Sequence, residues 1–407
     1  MQFISVASRQ RHSLRAAAEI VGGIGSQFLH DQSPDLVFFF ATPSHARAAE
    51  RVAEVFMEAW PEALILGTTA AGVFHPALRS IERPAMVVQA AFLPNVVLAP
   101  IRMDLEDFED SPVCLENWQV LLDGMPDPKL MVLLADPFTT PIAEILESLN
   151  TLAPHLPVLG GLSSGARRPG ANVLVLDGKR YRSGLIGVAL AGNVRADILV
   201  SQGCRPVGQL FKVTKANGNV VLELNGVPAM DALQDMVSTL PSDDQHLLQE
   251  GLMFGQAVQN PSDGFGRGDF LIRPVVAVDQ QEGTISLAGE VSEGNTIRFH
   301  VWDDTLIEDL QMLLLPQAVD KPASGGFLFG SWPRMGGDRG RLSVPLRQIQ
   351  QALGYRVPIA GFFTAGEIAP IRGANYLHMQ TASLALLRPA EQHSRDLVVD
   401  HRSDRLN

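Results

Sequence analysis

Two hydrophobic patterns trade places along the chain. Asp35-Leu-Val-Phe-Phe-Phe-Ala41 is an apolar run with no polar alternation, the pattern of a strand covered on both faces. Thr42-Pro43 ends it. Over 44–60 the apolar residues return at helical spacing, with Arg47, Glu50, Arg51, Glu54 and Glu58 between them, which predicts a helix with one wet side. An earlier helix is predicted from Ser13, a good N-cap, through Leu14, Ala17, Ile20, Val21, Ile24 and Phe28. A second strand, Ala63-Leu-Ile-Leu66, runs into Gly67-Thr-Thr-Ala-Ala-Gly72, and the apolar runs 85–92 and 95–101 then predict a hairpin.

The same order recurs from Ser111. It gives a helix over 112–122, a strand over 129–135, Asp136-Pro137, a helix over 141–150 and a strand at 157–159 that enters Gly160-Gly-Leu-Ser-Ser-Gly165. Runs at 185–190 and 196–200 again look paired. A third copy opens with Thr305-x-x-Glu308, a capping box for a helix over 305–315. It continues with a strand at 326–330, a break at Trp332-Pro333, a helix near 345–353, a strand at 358–360, Gly361-Phe-Phe-Thr-Ala-Gly366 and a strand over 377–387. A recurrent unit with a fixed strand-to-glycine junction is first a folding unit. Glycines five apart permit a positive φ and a close backbone approach just past a strand end, the edge at which such sheets also bind ligands.

Between the second and third copies the pattern turns β-rich. Residues 211–226 predict strand, Asn217-Gly218 turn, strand, and further runs lie at 269–279, 284–289 and 295–301. The fold class expected is therefore α/β in the mixed α+β sense, two domains of helix-flanked mixed β-sheets built from repeated α-β-α-β-β units. The first domain spans 1–205 with two repeats, the second spans 206–390, and 391–407 is a polar tail.

Composition narrows the function classes. At 407 residues the chain is long for one core, and 46% hydrophobic with 19% charged residues describes an ordinary globular protein. A formal charge of −12 argues against a general nucleic-acid grip, which needs clustered Lys and Arg. Cys114 and Cys204 are far apart and suggest neither a disulfide framework nor a metal cage. The first ten residues, MQFISVASRQ, have no apolar stretch of a secretion signal, and no window approaches the roughly 18 apolar residues of a membrane span. A cytoplasmic location without membrane insertion is expected.

The chemistry-bearing residues are few. Gly161-Leu-Ser163-Ser-Gly165 has the spacing of a hydrolase nucleophile elbow, but Ala166-Arg-Arg-Pro-Gly170 is hostile to the helix that must follow, so a structural turn is expected. Asp263-Gly-Phe-Gly-Arg-Gly268 precedes a strand and lacks the G-K-[ST] of a phosphate loop, so it reads as a surface loop. Glu367, Arg372, Asn375 and His378 put a carboxylate, a guanidinium, an amide and an imidazole within a dozen residues, suited to a zwitterionic ligand or to ordinary loop duty. Arg334 and Arg205 stand at other strand ends as candidate carboxylate partners or as caps for loop carbonyls. Cys204 has no histidine near it in sequence and reads as a half-buried thiol, and the histidines show no metal-binding spacing, so no metal and no cofactor are assigned.

Gly361 to Pro370 (GFFTAGEIAP) with Asn375-Tyr-Leu-His378, together with GCRPVG at 203–208 and VTKANGNVVLEL at 213–224, resembles the FIST family, the F-box and intracellular signal transduction proteins. The likeness runs from about Asp35 to Leu387 and covers both the N-terminal and the C-terminal FIST regions. The resemblance implies a sensory module that binds small ligands such as amino acids. One departure is Ser331-Trp-Pro-Arg334 followed by Met335, where the family often has Cys-x-x-Arg-Gly; the arginine is kept and the thiol is not.

The expectation is a stand-alone sensor of a small polar ligand that signals through a protein partner and leaves oligomerisation open. Thr364, Glu367 and His378 would line the pocket, Arg334 and Arg205 would meet a carboxylate, and the amides of Gly361 and Gly366 would form the floor. The alternatives are an enzyme with Glu367 as general base and His378 as acid, and a scaffold whose glycine turns serve the fold alone.

Overall fold

The strand that precedes the Pro-containing break in each repeat has two faces that enter different cores. The computed structural model describes residues 1–28, 32–78, 84–104, 118–125, 127–259, 264–266, 268–302, 306–331, 346–379 and 381–390. In the strand Leu36–Ala41, Leu36, Phe38 and Phe40 point to a central core, whereas Val37, Phe39 and Ala41 pack under the helices Ser13–Gly25 and Ala49–Ala59. The strand Pro128–Ala135 splits in the same way, with Leu130, Val132 and Leu134 central and Met131, Leu133 and Ala135 facing the helix Ile142–Leu152. In Gly325–Ser331, Phe327 and Phe329 are central and Leu328 packs with Ile349 and Leu353 of the helix Leu346–Leu353. Burial on both faces removes the need for polar alternation, which is why these strands read as unbroken apolar runs.

The central core therefore joins all three repeats. Phe38 meets Phe327 edge-on with centroids 5.1 Å apart, and Phe40 lies 5.1 Å from Phe362. Around it stand three mixed sheets of one design. In each, an antiparallel strand is flanked by the repeat's opening strand and by a parallel pair: Leu36–Ala41 with Leu64–Thr69, Pro128–Ala135 with Val158–Leu162, and Gly325–Ser331 with Ile359–Thr364.

Each sheet is completed by a segment of another repeat. Leu174–Leu176 and Lys179–Tyr181 extend the first sheet beside Leu64–Thr69. The hairpin Glu367–Ile371 with Ala374–His378 extends the second beside Val158–Leu162, and Val73–Phe74 adds to the third beside Ile359–Thr364. Between the strand Arg195–Ser201 and the helix Leu306–Ala318 lies a barrel-like sheet of six strands, closed by pairing of Cys204–Asn217 with Val220–Leu224. The predicted Asn217-Gly218 turn is in place, with Gly218 at φ 58°. Two helices of this region, Ala229–Thr239 and Ser242–Glu250, were not read from the sequence.

Several local expectations are corrected. The runs 85–92 and 95–101 do not form a hairpin. Met86–Phe92 pairs with Gln2–Ser8 and Leu36–Ala41, and Val96–Met103 opens the next repeat by pairing with Leu185–Gly192. Likewise Leu185–Gly192 and Arg195–Ser201 lie in different sheets, the latter beside Ala382–Arg388. The single strand expected over 377–387 is two strands in two sheets. His12 caps the first helix, while the Ser13 hydroxyl meets His45 Nδ1 at 2.9 Å. The expected helix over 44–60 begins as a 3-10 turn, Pro43–Ala48, with Pro43 at a first-turn position where its missing N–H is tolerated, and becomes α-helical over Ala49–Ala59. Thr305, Trp332, Pro333 and Cys114 lie outside the described residues.

Candidate functional site

The three glycine motifs converge. The Thr68 hydroxyl lies 2.6 Å from that of Ser163, and the Ala71 amide donates to Ser164 Oγ at 2.9 Å, joining the first motif to the second. Ser164 in turn donates to the carbonyl of Phe363, and the Leu162 amide donates to the carbonyl of Gly366 at 2.9 Å, joining the second to the third. The Phe363 amide closes the ring on the carbonyl of Gly72 at 3.0 Å.

The first glycine of each motif sits within its strand rather than past the end. A Cβ on Gly361 would lie 1.7 Å from the carbonyl oxygen of Leu328, and one on Gly160 would lie 1.8 Å from that of Leu133. Close backbone approach within the parallel pair thus explains these glycines, and of Gly67, Gly160 and Gly361 only Gly160 has a positive φ, at 147°. Gly366 is tight for a different reason, since its Cβ would meet Leu377 at 2.9 Å. Ser163 is buried, and no helix follows it, so the turn expected in place of a nucleophile elbow is what the chain adopts.

Glu367 and His378 face each other as a direct cross-strand pair in the inserted hairpin, and Gly161 is the partner of Glu367 on its other side. Both side chains, and that of Thr364, are fully buried. The Glu367 carboxylate accepts the Thr364 hydroxyl on one oxygen, and on the other the amide (3.0 Å) and hydroxyl (2.8 Å) of Thr381. It thereby pins the turn that leaves Ile359–Thr364 to the start of Ala382–Arg388. Asp136, just past the strand Pro128–Ala135 in the second repeat, is held in the same manner by the Phe138 amide, the Thr139 hydroxyl and Asn172.

The other polar residues of this stretch fasten the hairpin to its neighbours. Asn375 accepts the Val158 amide at 2.8 Å and donates to Leu156 and Asn150 at 2.9 and 3.0 Å. Arg372, at φ 49°, donates to Asp269 of the barrel at 2.6 Å. Arg205 lies on the barrel strand Cys204–Asn217 and pairs with Asp244 of the helix Ser242–Glu250. Arg334 lies outside the described residues.

His378 brings in a residue that sequence reasoning missed. Its Nε2 lies 3.0 Å from the Ala369 carbonyl, whereas Nδ1 is buried with no hydrogen-bond partner. Burial, and to a lesser extent the nearby Arg273 guanidinium, lowers its pKa to about 4 against the hydrogen bond to Ala369, so the ring is neutral at pH 7. A carbonyl accepts only, so Nε2 carries the proton and Nδ1 presents a lone pair. Arg273 reaches across from the barrel strand Phe270–Asp279, donating from Nη1 to the Leu377 carbonyl at 3.2 Å, while its Nε is buried without a partner. Gly289, at φ 131°, leaves space beside that nitrogen which a Cβ 3.1 Å away would fill. The seam between hairpin and barrel therefore holds one unmet donor and one unmet acceptor. The one signal in the sequence was a charge inside an apolar run, Phe270-Leu-Ile-Arg-Pro-Val275, on the face shared with Leu271 and Val275.

Residues 35–227 match the FIST N domain, and residues 229–370 match the FIST C domain. The chain belongs to the FIST family. An uncharacterized protein of Mycobacterium bovis (strain ATCC BAA-935 / AF2122/97) is 34% identical over 376 residues, which is 91% of this chain and 95% of that protein. One of Mycobacterium tuberculosis (strain ATCC 25618 / H37Rv) is 39% identical over 260 residues, 63% of this chain and 67% of its own length. FIST domains are associated with sensing in signal transduction. Among the described residues no helix of this FIST chain is long and apolar enough to cross a membrane, and no three His, Cys, Asp or Glu side chains are grouped to hold a metal ion.

Proposed function

We propose that this FIST protein is a cytoplasmic sensory module that binds a small polar ligand, an amino acid in the simplest case, where the third repeat meets the barrel, and reports its presence to a protein partner. The observation that carries the reading is the complementary pair of unmet groups in the seam, the Arg273 Nε–H donor and the His378 Nδ1 acceptor. Buried polar groups are nearly always satisfied, so a donor and an acceptor left open in one seam support the reading that something polar fills it. A carboxylate answers the guanidinium, and an ammonium or hydroxyl answers the imidazole. An amino acid carries both. In this reading Thr364 and Glu367 shape the hairpin that presents His378, Gly361 and Gly366 set the backbone beneath it, and Arg334 is a further candidate for the ligand's carboxylate. Arg205 is the weakest candidate, being engaged by Asp244.

A scaffold reading is favoured by one observation, the Glu367 carboxylate held by Thr364 and Thr381 as Asp136 is held elsewhere. A thermal-shift screen of the purified protein against amino acids, small organic acids and nucleotides separates the two. A ligand at a hundred times its Kd stabilises the fold by about 2.7 kcal/mol. One class raising the melting temperature of wild type but not of Arg273→Gln supports the sensor. The scaffold reading gains if no class shifts the wild type, or if Arg273→Gln responds as wild type does.

A further inference from the structure

The first repeat carries a strand end of different chemistry. Where Leu36–Ala41 gives way to Thr42, a cleft of about 420 Å³ opens, lined by Arg11, Thr42, Pro43, Ser44 and Pro84. That volume is within the usual span of small-molecule sites, roughly 300–1,000 Å³. Its floor is fixed. The Thr42 amide donates to the Ala85 carbonyl at 2.9 Å, and the Thr42 hydroxyl accepts the Ala85 amide at 3.0 Å while lying 3.1 Å from both the Ala85 carbonyl and Ser44 Oγ. The Ala85 carbonyl has two lone pairs and accepts both the amide and the hydroxyl of Thr42, so the Ser44 hydroxyl has a single proton that it directs either to Thr42 Oγ1 or, on rotation, toward the cleft.

The two chain segments at this corner are locally basic in sequence, although the Glu19 carboxylate accepts the Ser8 hydroxyl at 2.8 Å beside the first of them. The whole chain carries a formal −12, yet residues 8–15 hold Arg9, Arg11 and Arg15 with no acid, and residues 42–48 hold His45 and Arg47 with no acid. Arg11 is exposed. It stands at the entry to the helix Ser13–Gly25, and the turn Pro43–Ala48 begins in the cleft wall; neither has an acidic side chain in its first turn. A guanidinium fork and a hydroxyl donor suit an anion with several acceptor oxygens.

We propose that this cleft binds the phosphate group of a small phosphorylated molecule, with Arg11 as its cationic clamp and Ser44 as a hydroxyl donor. The site is separate from the Arg273–His378 seam, so each stands or falls alone.

Calorimetric titration of the full chain tests it, with inorganic phosphate and glycerol 3-phosphate as probes and acetate as control. Saturable phosphate binding is expected for wild type and for Arg273→Gln. It should weaken by about tenfold or more in Arg11→Gln, with a smaller loss in Ser44→Ala. Both Arg11 and Ser44 are exposed, so the melting temperatures of their variants should stay at the wild-type value and report an intact fold. The proposal is overturned if neither phosphate probe binds at about 10 mM, a concentration above any useful Kd. It is equally overturned if acetate binds as well as phosphate, or if Arg11→Gln titrates like wild type.

Discussion

Single atoms decide the behaviour of the glycines and the buried histidines. Gly361→Ala would set a Cβ 1.7 Å from the Leu328 carbonyl, a backbone clash that no rotamer relieves. We expect a loss of about 3 kcal/mol, the upper end of what overpacking costs, in urea unfolding. Gly22→Ala, by contrast, adds a methyl to the helix Ser13–Gly25 where nothing lies within 4 Å, and should stabilise by about 0.5–1 kcal/mol. His300 and His378 both have pKa values lowered to about 4, in each case chiefly by burial, from an ordinary 6.5. The unfolded chain therefore binds more protons between pH 6.5 and pH 4. The stability that neutral burial confers is present in full above pH 6.5 and is lost as pH falls through that window. Each ring adds a slope of up to about 1.4 kcal/mol per pH unit. Urea midpoints measured from pH 7 to pH 5, above most carboxylate titrations, should fall for wild type and fall less for the His300→Gln, His378→Gln double variant. Equal slopes would contradict the burial of these rings in neutral form.

The inserted hairpin is the element on which the site depends. Asn375 alone engages Val158, Leu156 and Asn150, so Asn375→Ala leaves a buried amide and a buried carbonyl without their side-chain partner. A destabilisation of about 2–4 kcal/mol is expected, read as a lowered melting temperature. What was legible in the sequence follows from how local the cause is. The runs Leu36–Ala41, Pro128–Ala135 and Gly325–Ser331 were readable because two-sided burial writes itself into consecutive residues. Pairing was not, because Met86–Phe92 and Val96–Met103 are neighbours in sequence but belong to different sheets. The polar stretch from Glu367 to His378 was visible as a cluster, yet its crossing to the second repeat's sheet depends on a contact with Gly161 some two hundred residues earlier. Arg273 left only a lone charge in an apolar run, and its neighbour His378 is brought to it by the tertiary fold.

At the scale of the molecule, three repeats exchange strand segments around one aromatic core, and the barrel is inserted within the third. This arrangement gives the seam its place. The hairpin that carries His378 belongs in sequence to the third repeat, in hydrogen bonding to the second, and through Arg273 and the Arg372–Asp269 pair to the barrel. An occupant there touches three parts of the molecule at once, which suits a device that converts binding into a change of relative stability. The most direct measurement is a high-resolution crystal structure of the protein grown with a mixture of the common amino acids. The account predicts one ligand with its carboxylate at Arg273 Nε and its ammonium or hydroxyl at His378 Nδ1. A single water molecule bridging the two groups, with no amino acid in the seam, would contradict it and make the seam part of the architecture.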